Sequence, residues 1–436
     1  MNNYIIHNAQ YVVCVDEKNQ ILEGATIVIR NGLISQINPP QIPTGSEYEH
    51  FDAKEHLVMP GLVNTHAHLA MALLRGWAEG VNLDGFLELV WAAEGAIMDA
   101  PTCALGTELG AGEALLSGTT TVLDMYLHPE VTHQAAIGVG LRHVTGPIFF
   151  DFPGLDGMEW DDRIAFARSW PALHKALGGP WTPLFLMPHS VYTDSEAHLK
   201  EVAELAKEFG ARIHLHLSET EAENSMSLKT HGRTPTQVIL DAGILDVPTT
   251  YGHGVYLSEQ DVRTTAKHGA SVAHCPGSNL KLGNGIANIQ AYQEAGIAVG
   301  LGTDSCSSSN DLDMWSVLRL TAQLFTFTHK PKDLDLSMII RAATIEGARA
   351  IGLSEVVGSI EIGKEADLIA ISLNALHLTP IHNVLALLVF AAGRSDVSDV
   401  WVSGERVVTT HRLTKIDPGE LRRRILDRAS ALDSIR

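Results

Sequence analysis

Residues 57–68 read Leu-Val-Met-Pro-Gly-Leu-Val-Asn-Thr-His-Ala-His, an apolar run that ends in His66 and His68. Along a strand, residues i and i+2 share a face, so both imidazoles can point at one ion from a single rigid edge. Metal-binding side chains at the end of an apolar strand suit a parallel barrel, whose active site lies at the C-terminal ends of its strands.

Working outward from there, the chain repeats the theme. Short β-rich segments stand near 61–64, 119–124, 142–146, 183–187, 212–216, 249–252, 270–274 and 298–303, with helical patterns between most of them. In 194–210, Asp194 is expected to cap a helix, Leu199, Val202, Ala203 and Ala206 recur at three- and four-residue spacing, and Gly210 closes it. Ser258 and Gly269 repeat that plan as cap and stop. Eight strands alternating with helices predict the α/β class and a closed (β/α)8 TIM barrel over residues 59–365. Both chain ends have a different texture, with short alternating segments separated by Gly, Asn and Pro. They are expected to pair as one small β-sandwich domain, 1–58 with 366–436, ending in a solvated, basic-faced helix.

The chain has 436 residues, 45% of them hydrophobic, which is enough for a large core. Its 51 acidic and 31 basic side chains leave a net charge of −20, which argues against nucleic acid or an anionic membrane surface as partner. The apolar stretch 384–392 is too short to span a bilayer, and no export signal is visible at MNNYIIHNAQ, so a cytoplasmic location is expected. Four cysteines without a CxxC pair read as reduced and structural, whereas 21 histidines, several in short motifs, direct attention to metal chemistry.

Further clusters follow other predicted strands. In ARIHLHLSET, His214 and His216 share a face, and only the one nearer the barrel mouth is expected to bind metal; the deeper His214 reads as a hydrogen-bonded core residue. Glu219 is either a helix cap or the carboxylate that proton transfer beside a metal requires. TTYGHGV places His253 between glycines, and VGLGTDS delivers Asp304, a carboxylate costly to bury unless paired or metal-bound. Nitrogen and oxygen donors without a thiolate suit zinc or another borderline divalent ion with a position open for water, and metal-activated hydrolysis follows as the reaction class.

The segments NTHAH, HLHLSET, GHG, HCPGSNLKLGNG and GTDSCSSSNDLDM, in this order, closely resemble the amidohydrolase superfamily. Within it they resemble the branch of 5′-methylthioadenosine/S-adenosylhomocysteine deaminases, with related chlorohydrolases and guanine deaminases. The resemblance covers nearly the whole chain. It implies that His66, His68, His216 and Asp304 bind one catalytic zinc or iron ion and that Asp304 also takes a proton from the attacking water. It further implies that Glu219 shuttles a proton to the ring nitrogen and that His253 orients the attacking oxygen. By the same resemblance Glu94, in WAAE, grips the ribose, while His189 and Ser308 contact substrate. A homo-oligomer, a dimer, is suggested as well.

Two departures from the branch bear on the substrate. Where members preferring S-adenosylhomocysteine carry a strand-three arginine for the amino-acid carboxylate, this chain has Gly146 and Pro147, with Arg163 near the position of a second arginine. Ser305 replaces the glycine that usually follows the metal aspartate. The expectation is a metal-dependent deaminase of adenosine-type nucleosides, with 5′-methylthioadenosine or adenosine ranked above S-adenosylhomocysteine. Phe86, Leu87, Val90 and Trp91 would line the methylthio end or else be plain core. The alternative keeps the metal site and changes the substrate to a triazine, guanine or pterin, as aminohydrolase or chlorohydrolase.

Overall fold

The structure is a computed structural model describing residues 3–434; Met1, Asn2, Ile435 and Arg436, included in the boundaries drawn above, lie outside the described residues. A ten-stranded parallel sheet closes on itself as eight staves. The first is Leu62–His68, the second Thr119–Asp124, and the fourth to seventh are Phe185–Pro188, Arg212–Leu217, Thr249–His253 and Ser271–His274. The eighth comes in two pieces, Val299–Leu301 and Asp304–Ser305, and both pair with the first.

The third stave differs from the continuous strand expected over 142–146. Arg142–Val144 pairs with the second stave and Ile148–Phe149 with the fourth, so the barrel closes across 145–147. Pro147 has no N–H to give to a ladder. A Cβ on Gly146 would lie 2.0 Å from the Phe185 carbonyl oxygen, so the chain passes its neighbour there at backbone contact.

Helices fill the outer layer where the sequence periodicity placed them. Glu196–Phe209 buries Leu199, Val202, Ala203 and Ala206 and ends at Gly210, but its cap is Ser195, which accepts from the His198 N–H. Asp194 instead turns back: its Oδ2 accepts from the backbone N–H groups of His189 and Ser190 at 3.1 and 3.4 Å. Those groups follow the end of the fourth stave; the His189 N–H is shared with the Phe149 carbonyl at 3.2 Å, and Asp194 braces the turn beyond it.

The chain ends form one sheet. Tyr4–Val13, Ile21–Arg30, Leu33–Ile37, Glu49–Asp52 and His56–Pro60 join Leu368–Ser372, Val397–Val402, Glu405–Thr409 and Arg412–Leu413 in nine strands. The seam is the antiparallel pair His56–Pro60 with Leu368–Ser372. Ile6, Ile27 and Ile34 from one arm share a core with Leu368, Ala370 and Trp401 from the other, so the sandwich is a single sheet folded over its own core. We propose residues 59 and 365 as the divisions between this unit and the barrel.

Arg142 joins the two. Fully buried, it binds both oxygens of Asp367 at 3.0 and 2.9 Å and Glu365 at 2.7 Å. The C-terminal helix, Pro418–Ala429, is not merely solvated: it packs on Ala100–Leu116, with Leu421 buried and Arg428 Nε donating to Thr102 Oγ1 at 2.7 Å. No helix among the described residues is long and apolar enough to cross a membrane.

Candidate active site

The staves bring their terminal side chains to one point. His66 and His68 lie within the first, His216 within the fifth and His253 ends the sixth, while Asp304 sits where the eighth pairs with Ala67. His216 Nε2 and His68 Nε2 are 3.3 Å apart, and Asp304 Oδ1 is 3.2 Å from His68 Nε2 and 3.5 Å from His66 Nε2. Two ligands at about 2.0–2.1 Å on a tetrahedral ion stand about 3.3 Å apart, so these atoms are spaced for one ion. Two overlapping donor groups, His66 with His68 and His216, and His66 with His253 and Asp304, can each hold a metal.

The far side of each ring is already engaged. His68 Nδ1 faces the Met125 carbonyl at 2.6 Å and His216 Nδ1 the His189 carbonyl at 3.0 Å. Carbonyls accept only, so both rings carry a proton on Nδ1 and turn Nε2 inward, bare in His216. At His68 burial acts downward, but the facing Asp304 outweighs it and lifts the ring to about 9, so Nε2 gives up its proton where an ion binds. His66 Nε2 is buried without a hydrogen-bond partner. Burial pushes His66 down to about 4 and His216 well below the ordinary range. For Asp304, burial acts upward, but the facing His66 and His68 rings more than reverse it and hold the carboxyl well below its usual range. Such a donor set fits a divalent metal ion.

Around this point stand the acid–base groups. Glu219 Oε1 accepts from Asn284 Nδ2 at 2.8 Å, and its Oε2 lies 3.7 Å from His253 Nε2. Burial raises Glu219. His253 Nδ1 is 2.8 Å from Asn279 Oδ1, which fixes the ring's orientation. Glu223, one turn into the next helix, accepts from the backbone N–H groups of Ser218 and Glu219 at 3.0 and 2.7 Å. His189, pushed by burial to about 3, uses Nδ1 toward the Ser190 and Thr193 hydroxyls and leaves Nε2 for the cavity.

One cavity of about 1030 Å³, mouth included, rises from His68, His216, Glu219, His253 and Asp304 and also reaches His189 and Glu94. Glu94 is no helix-surface acid. It is buried, accepts from the Tyr126 hydroxyl at 2.5 Å, and burial lifts it to about 7. Phe86, Leu87, Val90 and Trp91 line the cavity, with Phe150, Phe152 and Leu155 opposite.

Two expected substrate contacts lie elsewhere. Ser308 is fully buried outside the cavity lining, and its hydroxyl donates to Asp304 Oδ2 at 2.8 Å, as Ser278 does at 2.6 Å. Asp304 needs partners for its second oxygen, and Ser308 is one of them; Ser305 faces the cavity in its place. Arg163 is also absent from the lining: Asp156 holds its guanidinium in two hydrogen bonds, 3.0 and 2.8 Å, beneath the loop that carries Phe152 and Leu155. A buried guanidinium must be paired, and Asp156 is the partner it has. Residue types alone did not reveal Tyr126, Glu223, Ser278, Asn279 or Asn284. Their shared signal is position, in the segments that follow a stave end.

Residues 57–407 match the sequence profile of the Amidohydrolase family, and the chain belongs to that family. Its sequence is 34% identical, over an alignment of 437 residues covering 97% of both chains, to a 5-methylthioadenosine/S-adenosylhomocysteine deaminase of Thermodesulfovibrio yellowstonii. Its fold matches that of an adenosine deaminase of Xanthomonas campestris with bound zinc, at TM-score 0.94, 33% identity and 99% coverage of each chain. An atrazine chlorohydrolase of Arthrobacter aurescens, complexed with zinc, matches at TM-score 0.89 and 23% identity over 98% of this chain and 100% of the other. That likeness concerns the fold alone.

Proposed function

We propose that this chain is a metal-dependent hydrolytic deaminase of adenosine-type nucleosides that converts 5′-methylthioadenosine to 5′-methylthioinosine and ammonia. The observation that carries this reading is the single cavity described above. Its floor gathers the histidine–aspartate cluster and Glu219, its wall holds Glu94, and its outer half is apolar, with no lysine or arginine among the described residues that line it. The names of the relatives support the same chemistry.

We take His66, His68, His216 and Asp304 as ligands of one ion, zinc by preference and iron(II) as the other candidate. When bound, such an ion would lower the pKa of a water molecule toward neutrality and so supply the attacking oxygen. The chain's own residues do the rest. Asp304, its Oδ2 fixed by two serine hydroxyls, accepts a proton from the attacking water. Glu219, whose carboxyl burial raises, is placed to give a proton to the purine nitrogen beside the reacting carbon. His253 orients the attacking oxygen, His189 Nε2 meets the substrate near the ion, and Glu94 accepts from the ribose hydroxyls.

The amino-acid tail of S-adenosylhomocysteine would bury a carboxylate with no cation to meet it, because Asp156 already neutralises Arg163. The methylthio group instead buries apolar surface against Trp91 and Phe152. We further propose a dimer working in the cytoplasm; light scattering reads the former directly.

The deciding experiment is ammonia release by metal-loaded protein, comparing kcat/KM for 5′-methylthioadenosine, adenosine, S-adenosylhomocysteine, guanine, a pterin and an amino- or chlorotriazine. A clear lead for 5′-methylthioadenosine is expected. Silence on every nucleoside, with turnover of a triazine, guanine or pterin, would overturn the assignment of Glu94 and the apolar wall.

A further inference from the structure

His66 differs from the other two clustered histidines in what stands behind it. His68 and His216 lean on backbone carbonyls, whereas His66 Nδ1 lies 2.7 Å from another imidazole nitrogen, His214 Nε2. That contact alone leaves open which ring donates. The next one decides it: the Thr250 carbonyl oxygen is 2.9 Å from His214 Nδ1 and can only accept. His214 Nδ1 therefore carries the proton, a neutral His214 presents a bare Nε2, and His66 must place its own proton on Nδ1. The nitrogen left bare is His66 Nε2, the buried atom without a hydrogen-bond partner, 3.5 Å from Asp304 Oδ1. Both rings are fully buried, so solvent cannot replace either contact.

We propose that His214 is a positioning residue for the metal ion: the relay from Thr250 O through His214 to His66 Nδ1 keeps a lone pair on His66 Nε2. The proposal rests on the reading of His66 as a ligand. A carbonyl behind a histidine enforces one tautomer by itself, but an imidazole works in either direction. Here the backbone of the sixth stave sets the direction. With the acceptor gone, His66 Nδ1–H is buried and unpaired, and the ring relieves that cost by moving its proton to Nε2, which closes the ligand position.

The test uses the full chain with His214→Gln, His214→Asn and His214→Leu. A glutamine amide has a carbonyl oxygen for His66 Nδ1 and an N–H for Thr250 O; asparagine is too short to serve both, and leucine offers neither. Zinc affinity is read by competition with a chromophoric chelator, ligand geometry by the absorption spectrum of the cobalt(II)-loaded protein, and folding by the melting temperature of metal-free protein. Leucine is expected to weaken zinc binding by about 10- to 100-fold and alter the cobalt spectrum, with glutamine within about threefold of the parent. If leucine does not fold, asparagine carries the comparison, expected at least about fivefold weaker than glutamine. Unchanged zinc affinity in a folded leucine or asparagine variant, with only the melting temperature lowered, would make His214 a plain core residue. Glutamine as weak as leucine would also refute the relay. A parent protein that binds no zinc, by contrast, would overturn the ligand reading beneath it.

Discussion

Replacing Glu219 with glutamine separates proton transfer from metal binding. The side chain is buried, with Oε1 held by Asn284 Nδ2 at 2.8 Å and Oε2 3.7 Å from His253 Nε2. A glutamine in the same rotamer keeps its carbonyl oxygen on Asn284 and turns its amide nitrogen toward His253, so shape and hydrogen bonding survive. What disappears is a proton that can be given and taken back. Loss of a positioned general acid–base typically costs about 10²- to 10⁴-fold, or about 2.7 to 5.4 kcal/mol at 1.36 per tenfold. Metal content should hold, because Glu219 belongs to neither donor group. Asp304→Ala makes the contrast: it deletes a donor and strips the Ser278 and Ser308 hydroxyls of their acceptor, so metal and turnover fall together. The assay is kcat for ammonia release alongside bound metal per chain. A Glu219→Gln protein within tenfold of the parent, or one that loses metal as Asp304→Ala does, would refute these separate roles.

Three more outcomes are expected. Glu94→Ala should raise KM for nucleosides by about 10- to 100-fold, as a buried charge-assisted hydrogen bond of about 1.5–3 kcal/mol is lost, and leave KM for a free base unchanged; steady-state kinetics on both substrates reads this. Burial lifts Glu94 from 4.5 to about 7 in the folded chain, so its stabilising contribution is complete below pH 4.5 and lost as pH rises through 7. Glu94→Gln should accordingly gain on the parent between pH 4.5 and 8 by on the order of 3 kcal/mol, visible in metal-free urea melts at each pH; a constant difference would contradict it. Arg142→Ala leaves Asp367 and Glu365 without their shared cation in the seam between barrel and terminal sheet, for about 3–5 kcal/mol and a melting temperature lower by roughly 3–5 °C, checked by calorimetry; an unchanged melt would remove the clamp.

The barrel and its floor were legible because strand alternation and strand ends are local properties. His66, His68 and His216 announce themselves by spacing, and the aliphatic run before Asp304 marks that carboxylate as one needing partners. The break in the third stave was written just as locally, in Gly146 and Pro147, but an apolar segment such as HVTGPIF reads as one strand until the Phe185 carbonyl is seen beside Gly146. Asp194 shows a limit of another kind. A capping residue and a loop-bracing residue have the same composition, and only the backbone N–H groups that the fold turns toward Asp194 at the end of the fourth stave tell them apart. Arg163 and Ser308 exceed sequence reasoning for a third reason. Whether an arginine meets a ligand or an aspartate, and whether a serine faces a cavity or a carboxylate, depends on a rotamer and on loops no pattern encodes.

The same stave ends carry backbone strain. Ser218, His253 and Asp304 adopt φ of 49°, 68° and 60°, left-handed values that cost a non-glycine residue about 1–2 kcal/mol each. In each case the turn is braced by a neighbour. Glu223 accepts from the Ser218 and Glu219 N–H groups, Asn279 holds the His253 ring, and Ser278 and Ser308 hold Asp304. A strand that continued extended would send these successive side chains alternately inward and outward. The left-handed turn swings the last one over the barrel mouth instead, and the braces supply what the φ penalty removes. This explains why Ser278, Asn279 and Glu223, none of which is among the clustered donors, all lie within a few residues of a stave end. They are the part of the site that keeps Glu219, His253 and Asp304 pointed at the same place.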